Sequence, residues 1–209
     1  TGIALVLFMT FHACMNVVAL FSGDAYNMIC KLLGANWYAV VATVALGALA
    51  VCHIVYAFIL TAQNRRARGS ERYAVTSKPD SVEWASQNML VLGLIACLGL
   101  LLHLFNFWYN MMFAELTGMH VDIDPTHGFE LIKVTFSNKL YVVLYILWIV
   151  ALWFHLSHGF WSALQTVGVN GKVWFNRWKT IGVVYVTLLM LAFLVVVLAF
   201  AFGCAPSLH

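Results

Sequence analysis

Four stretches of the chain, 2–22, 37–63, 84–114 and 140–168, contain no Asp, Glu, Lys or Arg at all, and a fifth, 178–203, contains only Lys179. An uncharged apolar run of about 18 residues or more reads as a helix crossing a bilayer, whose hydrocarbon core needs about 20 residues. Runs such as Leu98-Gly-Leu-Leu-Leu-Leu102 and Leu194-Val-Val-Val-Leu198 lack the alternation of a membrane β-strand. The sequence therefore predicts an all-α integral membrane protein, a single domain of five transmembrane helices. The first run begins at Thr1 without a Met, so a few residues are expected to precede it.

The rest of the composition agrees. Of 209 residues 63% are hydrophobic and 9% charged, against about 45–50% and about 25% in soluble domains. Disorder, nucleic-acid binding and a cytosolic enzyme are excluded. The basic residues set the orientation. Arg65, Arg66, Arg68, Arg72, Lys78, Lys172, Arg177 and Lys179 fall in the second-to-third and fourth-to-fifth connections, whereas the opposite side holds Lys31, Lys133 and Lys139. The positive-inside rule places the first group, and with it the N-terminus, in the cytoplasm. Trp37, Tyr38, Trp84, Trp108, Tyr109, Tyr141, Trp174 and Trp178 cluster near span ends as an interfacial belt.

Histidine within a span is costly and marks function. Five occur: His12, His53, His103, His155 and His158. His12 precedes Asp24, His53 Arg65, His103 Glu115 and His158 Asn170, each by twelve residues, or roughly 18 Å of helix. With alternating directions, His12 and His103 lie in the outer half and His53 and His158 in the inner half, the two levels about 10 Å apart. Paired imidazoles from facing helices are the expected holders of low-spin haem, with both axial positions filled. No Cys-x-x-Cys-His is present for covalent attachment, and zinc would want further ligands. Gly99, one turn before His103, and Gly159, beside His158, offer room for a flat macrocycle. His155 lies three residues before His158 on nearly the same face and remains an alternative ligand.

These residues carry a resemblance. Leu7-Phe-Met-Thr-Phe-His12, Phe21-Ser-Gly-Asp24, Ala50-Val-Cys-His53, Asn64-Arg-Arg-Ala-Arg68, Leu101-Leu-His-Leu-Phe105 and His158-Gly-Phe-Trp161 follow one another as in the five-helix dihaem cytochrome b anchor of succinate:quinone oxidoreductases and quinol:fumarate reductases. Arg68-Gly-Ser-Glu-Arg-Tyr73, Trp84-Ala-Ser-Gln-Asn88 and Phe105-Asn-Phe-Trp-Tyr-Asn110 are most similar to the Bacteroides-type bacterial form. The resemblance implies four helices forming a haem-binding bundle in the bacterial inner membrane. It assigns an outer haem b to His12 and His103 and an inner haem b to His53 and His158, the latter because the fourth ligand tends to precede Gly. It further implies a cytoplasmic iron–sulfur subunit with its clusters, a flavoprotein subunit with FAD where succinate and fumarate interconvert, and a quinone substrate, menaquinone. A dimer of the complex is compatible with it. Some members carry an acid two residues before the fourth ligand, here Leu156, and no acid lies deep in any span.

Asn106, Tyr109, Asn110 and Glu115 form a polar set beside the outer haem and are candidates for the quinone site. On the inner side Trp84, Ser86, Gln87 and Asn88 are the rival set. Arg65, Arg66, Arg68 and Lys172 are candidates for haem propionates or subunit docking, besides fixing topology. Cys14, Cys52 and Cys97 read as small packing residues, while Cys30 and Cys204 share the outer side, where a disulfide is chemically permitted. Two other classes remain open: the cytochrome b anchor of a nitrate reductase, formate dehydrogenase or hydrogenase, and a histidine-bearing transporter.

Overall fold

The computed structural model describes residues 1–68, 84–169 and 171–206, the side chains of Arg68 and Lys172 excepted. Its elements are α1 (Gly2–Val18), α2 (Gly23–Leu32), α3 (Trp37–Arg68), α4 (Trp84–Gln87), α5 (Met89–His103), a π-helical segment (Leu104–Phe113) leading into α6 (Ala114–Thr117), α7 (Gly128–Ser137), α8 (Lys139–Thr166) and α9 (Lys172–Ala201). No strand occurs among the described residues. Four helical stretches are long and apolar enough to cross a membrane: Trp37–Ala67, Met89–Thr117, Lys139–Thr166 and Val173–Ala201. This is a multi-pass membrane protein built for a lipid bilayer.

The first apolar run behaves differently from the expectation. Its helix stops at Val18, before the expected end at Ser22. Ala19–Phe21 form a turn, and the Ser22 hydroxyl accepts the Ala25 N–H at 3.2 Å, starting α2 in a new direction. Two short helices that hydropathy alone does not reveal, α2 and α7, pack together. The Asn27 amide joins them, accepting the Phe129 N–H at 2.9 Å and donating to Glu130 Oε2 at 3.1 Å. A Cβ on Gly128 would stand 2.5 Å from Cys30 Sγ, so only glycine permits this approach. Phe129 in turn packs on Phe200 of α9 with ring centroids 5.1 Å apart.

The core lies where α8 packs along α9 and α5, with α1 against α9 and α8. Val186, Leu189, Met190, Val196, Val197 and Phe200 line the inner face of α9, which supplies no histidine. Trp153 donates to Thr187 Oγ1 at 2.9 Å, tying α8 to α9. By contrast, among the described residues α3 leans on α1 and has no comparable contact with α5 or α8. Nothing in its most apolar window is buried.

Candidate functional site

Each of α1, α3, α5 and α8 carries an imidazole that meets one from another of these helices. His12 of α1 meets His103 at the end of α5, ring centroids 5.7 Å apart and planes at 84°. His53 of α3 meets His155 of α8, centroids 6.3 Å apart and planes at 78°. The second pair differs from the assignment implied by the resemblance. His158 lies three residues further along and packs edge-on against Trp161, centroids 4.9 Å apart. Helical residues three apart are separated by about 60° around the axis, so the rotation of α8 decides which imidazole faces α3. Here it is His155.

One ring nitrogen in each pair, His103 Nδ1 and His155 Nδ1, is buried without a hydrogen-bond partner. A buried polar atom left unpaired costs about 1–3 kcal/mol, so such atoms beside a facing imidazole point to a missing bonding partner. Around the outer pair the packing is dense. His12 stacks on Phe8 at 5.5 Å, and His103 contacts Phe107, Tyr145 and Trp148. The Asn16 amide donates to the His12 carbonyl at 2.7 Å, lies 3.4 Å from His12 Nε2, and its oxygen accepts the Tyr26 hydroxyl at 3.1 Å. A polar thread thus runs from the outer helix α2 to the first imidazole. At the inner pair His53 Nδ1 stands 3.4 Å from Thr1 Oγ1, and Gly93 brings α5 close to His155.

Gly99 serves another purpose than room for a macrocycle. A Cβ there would lie 2.0 Å from Trp148 Cδ1, so the glycine seats the indole, whose N–H donates to the Ala96 carbonyl at 3.0 Å. Gly159 does have open space around it. The π-helical segment that follows His103 is the other feature hydropathy does not encode. Such segments are rare and concentrate at functional sites. Asn110 donates to the carbonyls of Phe105 and Asn106, both at 3.1 Å, holding the wider winding.

All four outer polar candidates have structural partners. Asn106 is buried and donates to the Tyr145 hydroxyl at 3.3 Å. Tyr109 stacks between Phe105 and Phe113 and donates to Met119 Sδ at 3.4 Å. Asn110 serves the π-helical carbonyls, and Glu115 accepts the Ala35 N–H at 2.9 Å, fastening the α2–α3 turn. On the inner side Asn88 donates to the Trp84 carbonyl. Arg65 and Arg66 are exposed near the C-terminal end of α3. Arg68 and Lys172 sit at helix ends with side chains outside the described residues, as are Arg72 and Lys78 entirely. The five cysteines, Cys30 and Cys204 included, are unpaired thiols.

Among the described residues no group of three or more His, Cys, Asp or Glu side chains converges to cage a metal ion. The arrangement offers instead two separate imidazole pairs. Comparison with protein-family models, with curated proteins and with solved structures returns no match.

Proposed function

We propose that this chain is the dihaem cytochrome b anchor of a succinate:quinone oxidoreductase or quinol:fumarate reductase. The observation that carries the reading is the pair of imidazole pairs, each joining two membrane helices. Two imidazoles ligating one ion from opposite sides, through bonds of about 2 Å, place their ring centres about 6 Å apart. The separations of 5.7 and 6.3 Å fit that requirement, and each pair holds one buried ring nitrogen lacking a partner. Haem also brings four equatorial nitrogens of its own, so a protein pair suffices where a metal cage would need more.

In this reading His12 and His103 hold the outer haem b. His53 holds the inner one with His155, which the ring geometry favours over His158. Haem bound there would supply reversible one-electron transfer at an iron with no open position. The chain's part is to fix ligand geometry and exclude water. Trp148, Tyr145 and Phe107 pack the His103 ring, while Asn16 and Tyr26 orient His12. The loose seat of α3 also supports the reading, since a wide planar group between α3 and α8 would keep those helices apart.

The exposed Arg65 and Arg66 fit a cytoplasmic surface that docks an iron–sulfur subunit, itself carrying a flavoprotein with FAD. Menaquinone would be the membrane-side substrate, and the bacterial inner membrane the location. The test is purification of the complex from membranes with a reduced-minus-oxidised spectrum. Two b-type haems per chain, with iron–sulfur and flavin subunits and succinate or fumarate turnover, are expected. A colourless protein would overturn the proposal.

A further inference from the structure

Asn16 lies four residues beyond His12 on α1, a spacing that makes side chains neighbours on one helix face. Its amide has two N–H donors on Nδ2 and one acceptor, Oδ1. One N–H goes to the His12 carbonyl at 2.7 Å, a group that can only accept. That contact settles which end of the amide is which, and it leaves Oδ1 for α2, where the Tyr26 hydroxyl donates to it at 3.1 Å. Tyr26 is itself fixed. It is buried in the core, and a Cβ on Gly128 of α7 would stand 3.1 Å from its Cε1. The amide thus has a single orientation, held at one end by α1 and at the other by α2.

The same Nδ2 stands 3.4 Å from Nε2 of the His12 ring. That is long for a hydrogen bond, yet it decides where the ring proton sits. A neutral imidazole carries its proton on one nitrogen and a lone pair on the other, and the neighbours set which. The amide nitrogen donates and does not accept. A proton on Nε2 would face the second N–H of Asn16, in a low-dielectric interior that strengthens the repulsion. A lone pair on Nε2 meets that N–H favourably. An isolated histidine side chain prefers its proton on Nε2, so these surroundings reverse the ring's own bias.

We infer that Asn16, anchored by Tyr26, assigns the His12 ring proton to Nδ1 and keeps Nε2 bare. Asn16 is a positioning residue, since it acts through the imidazole. A bare ring nitrogen is the one able to bind a metal, and hydrogen bonds around a ligand fix its tautomer. The inference therefore deepens the proposed function by naming how α2 prepares one ligand, while the hydrogen bonding that carries it does not require haem.

The test locates the proton directly. The full chain is produced with isotope-labelled histidine in cells unable to make haem, purified in detergent, and checked for folding by thermal melting. Nitrogen NMR tells protonated from bare ring nitrogens, and couplings to the ring carbon-bound protons tell Nδ1 from Nε2. His12→Gln assigns the signal by its loss. Wild type should show Nδ1 protonated and Nε2 bare. Asn16→Asp keeps the shape but replaces the donor with an acceptor, so the proton should move to Nε2. Asn16→Leu offers neither and should restore the ring's own preference for Nε2. Tyr26→Phe frees the amide and should give a mixture.

A protonated Nε2 in wild type would overturn the inference, as would a proton unmoved in both Asn16 variants. An unchanged Tyr26→Phe spectrum would refute the anchoring. Should the haem-free chain not fold, the complex from ordinary membranes decides: Asn16→Asp should lose the outer haem, its carboxylate drawing a proton to the nitrogen that must be bare, and Asn16→Leu should keep it. Retention in Asn16→Asp would overturn the inference. Haem content of wild type separates the two proposals. A bare Nε2 without haem in ordinary membranes sinks the cytochrome reading alone, whereas haem there with Nε2 protonated in the haem-free chain sinks this one.

Discussion

The imidazole of His53 stands against that of His155, ring centroids 6.3 Å apart and planes at 78°, while His158 turns toward Trp161. Two histidines three residues apart thus separate into different roles by the rotation of a single helix. His155→Ala should lose the inner haem, lowering the haem content from two per chain to one, whereas His158→Ala should retain both with a shifted band. The pyridine haemochrome assay on each variant, with His12→Ala as the outer-haem reference, checks this. Loss of haem in His158→Ala alone would return the ligand to the position the resemblance assigns.

Gly99 is predicted to be intolerant of any side chain. An added Cβ would sit 2.0 Å from Trp148 Cδ1 and 2.2 Å from Cγ, inside a ring held by its bond to the Ala96 carbonyl. Overpacking of this kind costs about 1–3 kcal/mol. Gly99→Ala should lower the thermal midpoint in detergent and perturb the outer haem spectrum, because Trp148 also packs on His103 at 5.7 Å. Gly47→Ala, where no atom lies within 4 Å of the added carbon, is the matched control and should behave like wild type.

Glu115 is expected to act as a fastener. Its carboxylate accepts the Ala35 N–H at 2.9 Å on an exposed surface, an interaction of about 0.5–1.5 kcal/mol. Glu115→Ala should lower stability by about that amount, and Glu115→Gln, which keeps an acceptor oxygen, by less. Quinol oxidation should persist in both. Thermal melts and steady-state turnover on the same preparations distinguish this role from a part in quinol chemistry.

Cys30 should be a sluggish thiol. Burial between α2 and α7 raises its pKa from 9.0 to about 11, against the lowering effect of the Tyr26 hydrogen bond. Iodoacetamide reacts with the thiolate, so its alkylation should climb with a midpoint near 11. The sign for stability follows. Between pH about 9 and 11 the unfolded chain has released this proton and the folded one has not, so the fold weakens as pH rises through that window. Cys30→Ser should flatten that alkaline slope.

The four long spans were legible because uncharged apolar runs of that length have few alternatives in water or in lipid. The interruptions were not. Hydropathy does not report hydrogen-bond register, so the π-helical winding over 104–113 is invisible in it, although Asn106 and Asn110 sit there. The helices α2 and α7 have ten residues each, below spanning length, and their pairing depends on Asn27, Gly128 and Glu130 meeting across more than a hundred positions. That His12 and His103 would share a level followed from counting. The same count, with the resemblance, named His158 for the other pair, whereas His155 faces His53, because spacing along the chain does not report the rotation of α8 that chooses between residues three apart.

Among the described residues α3 is the most lightly seated of the long helices. Displacing α3 breaks its seat on α1 and leaves the joints among α5, α8 and α9 intact. Local opening is cheapest where buried contacts are fewest. Swinging α3 aside would part the His53 and His155 rings and leave the core of α5, α8 and α9 standing.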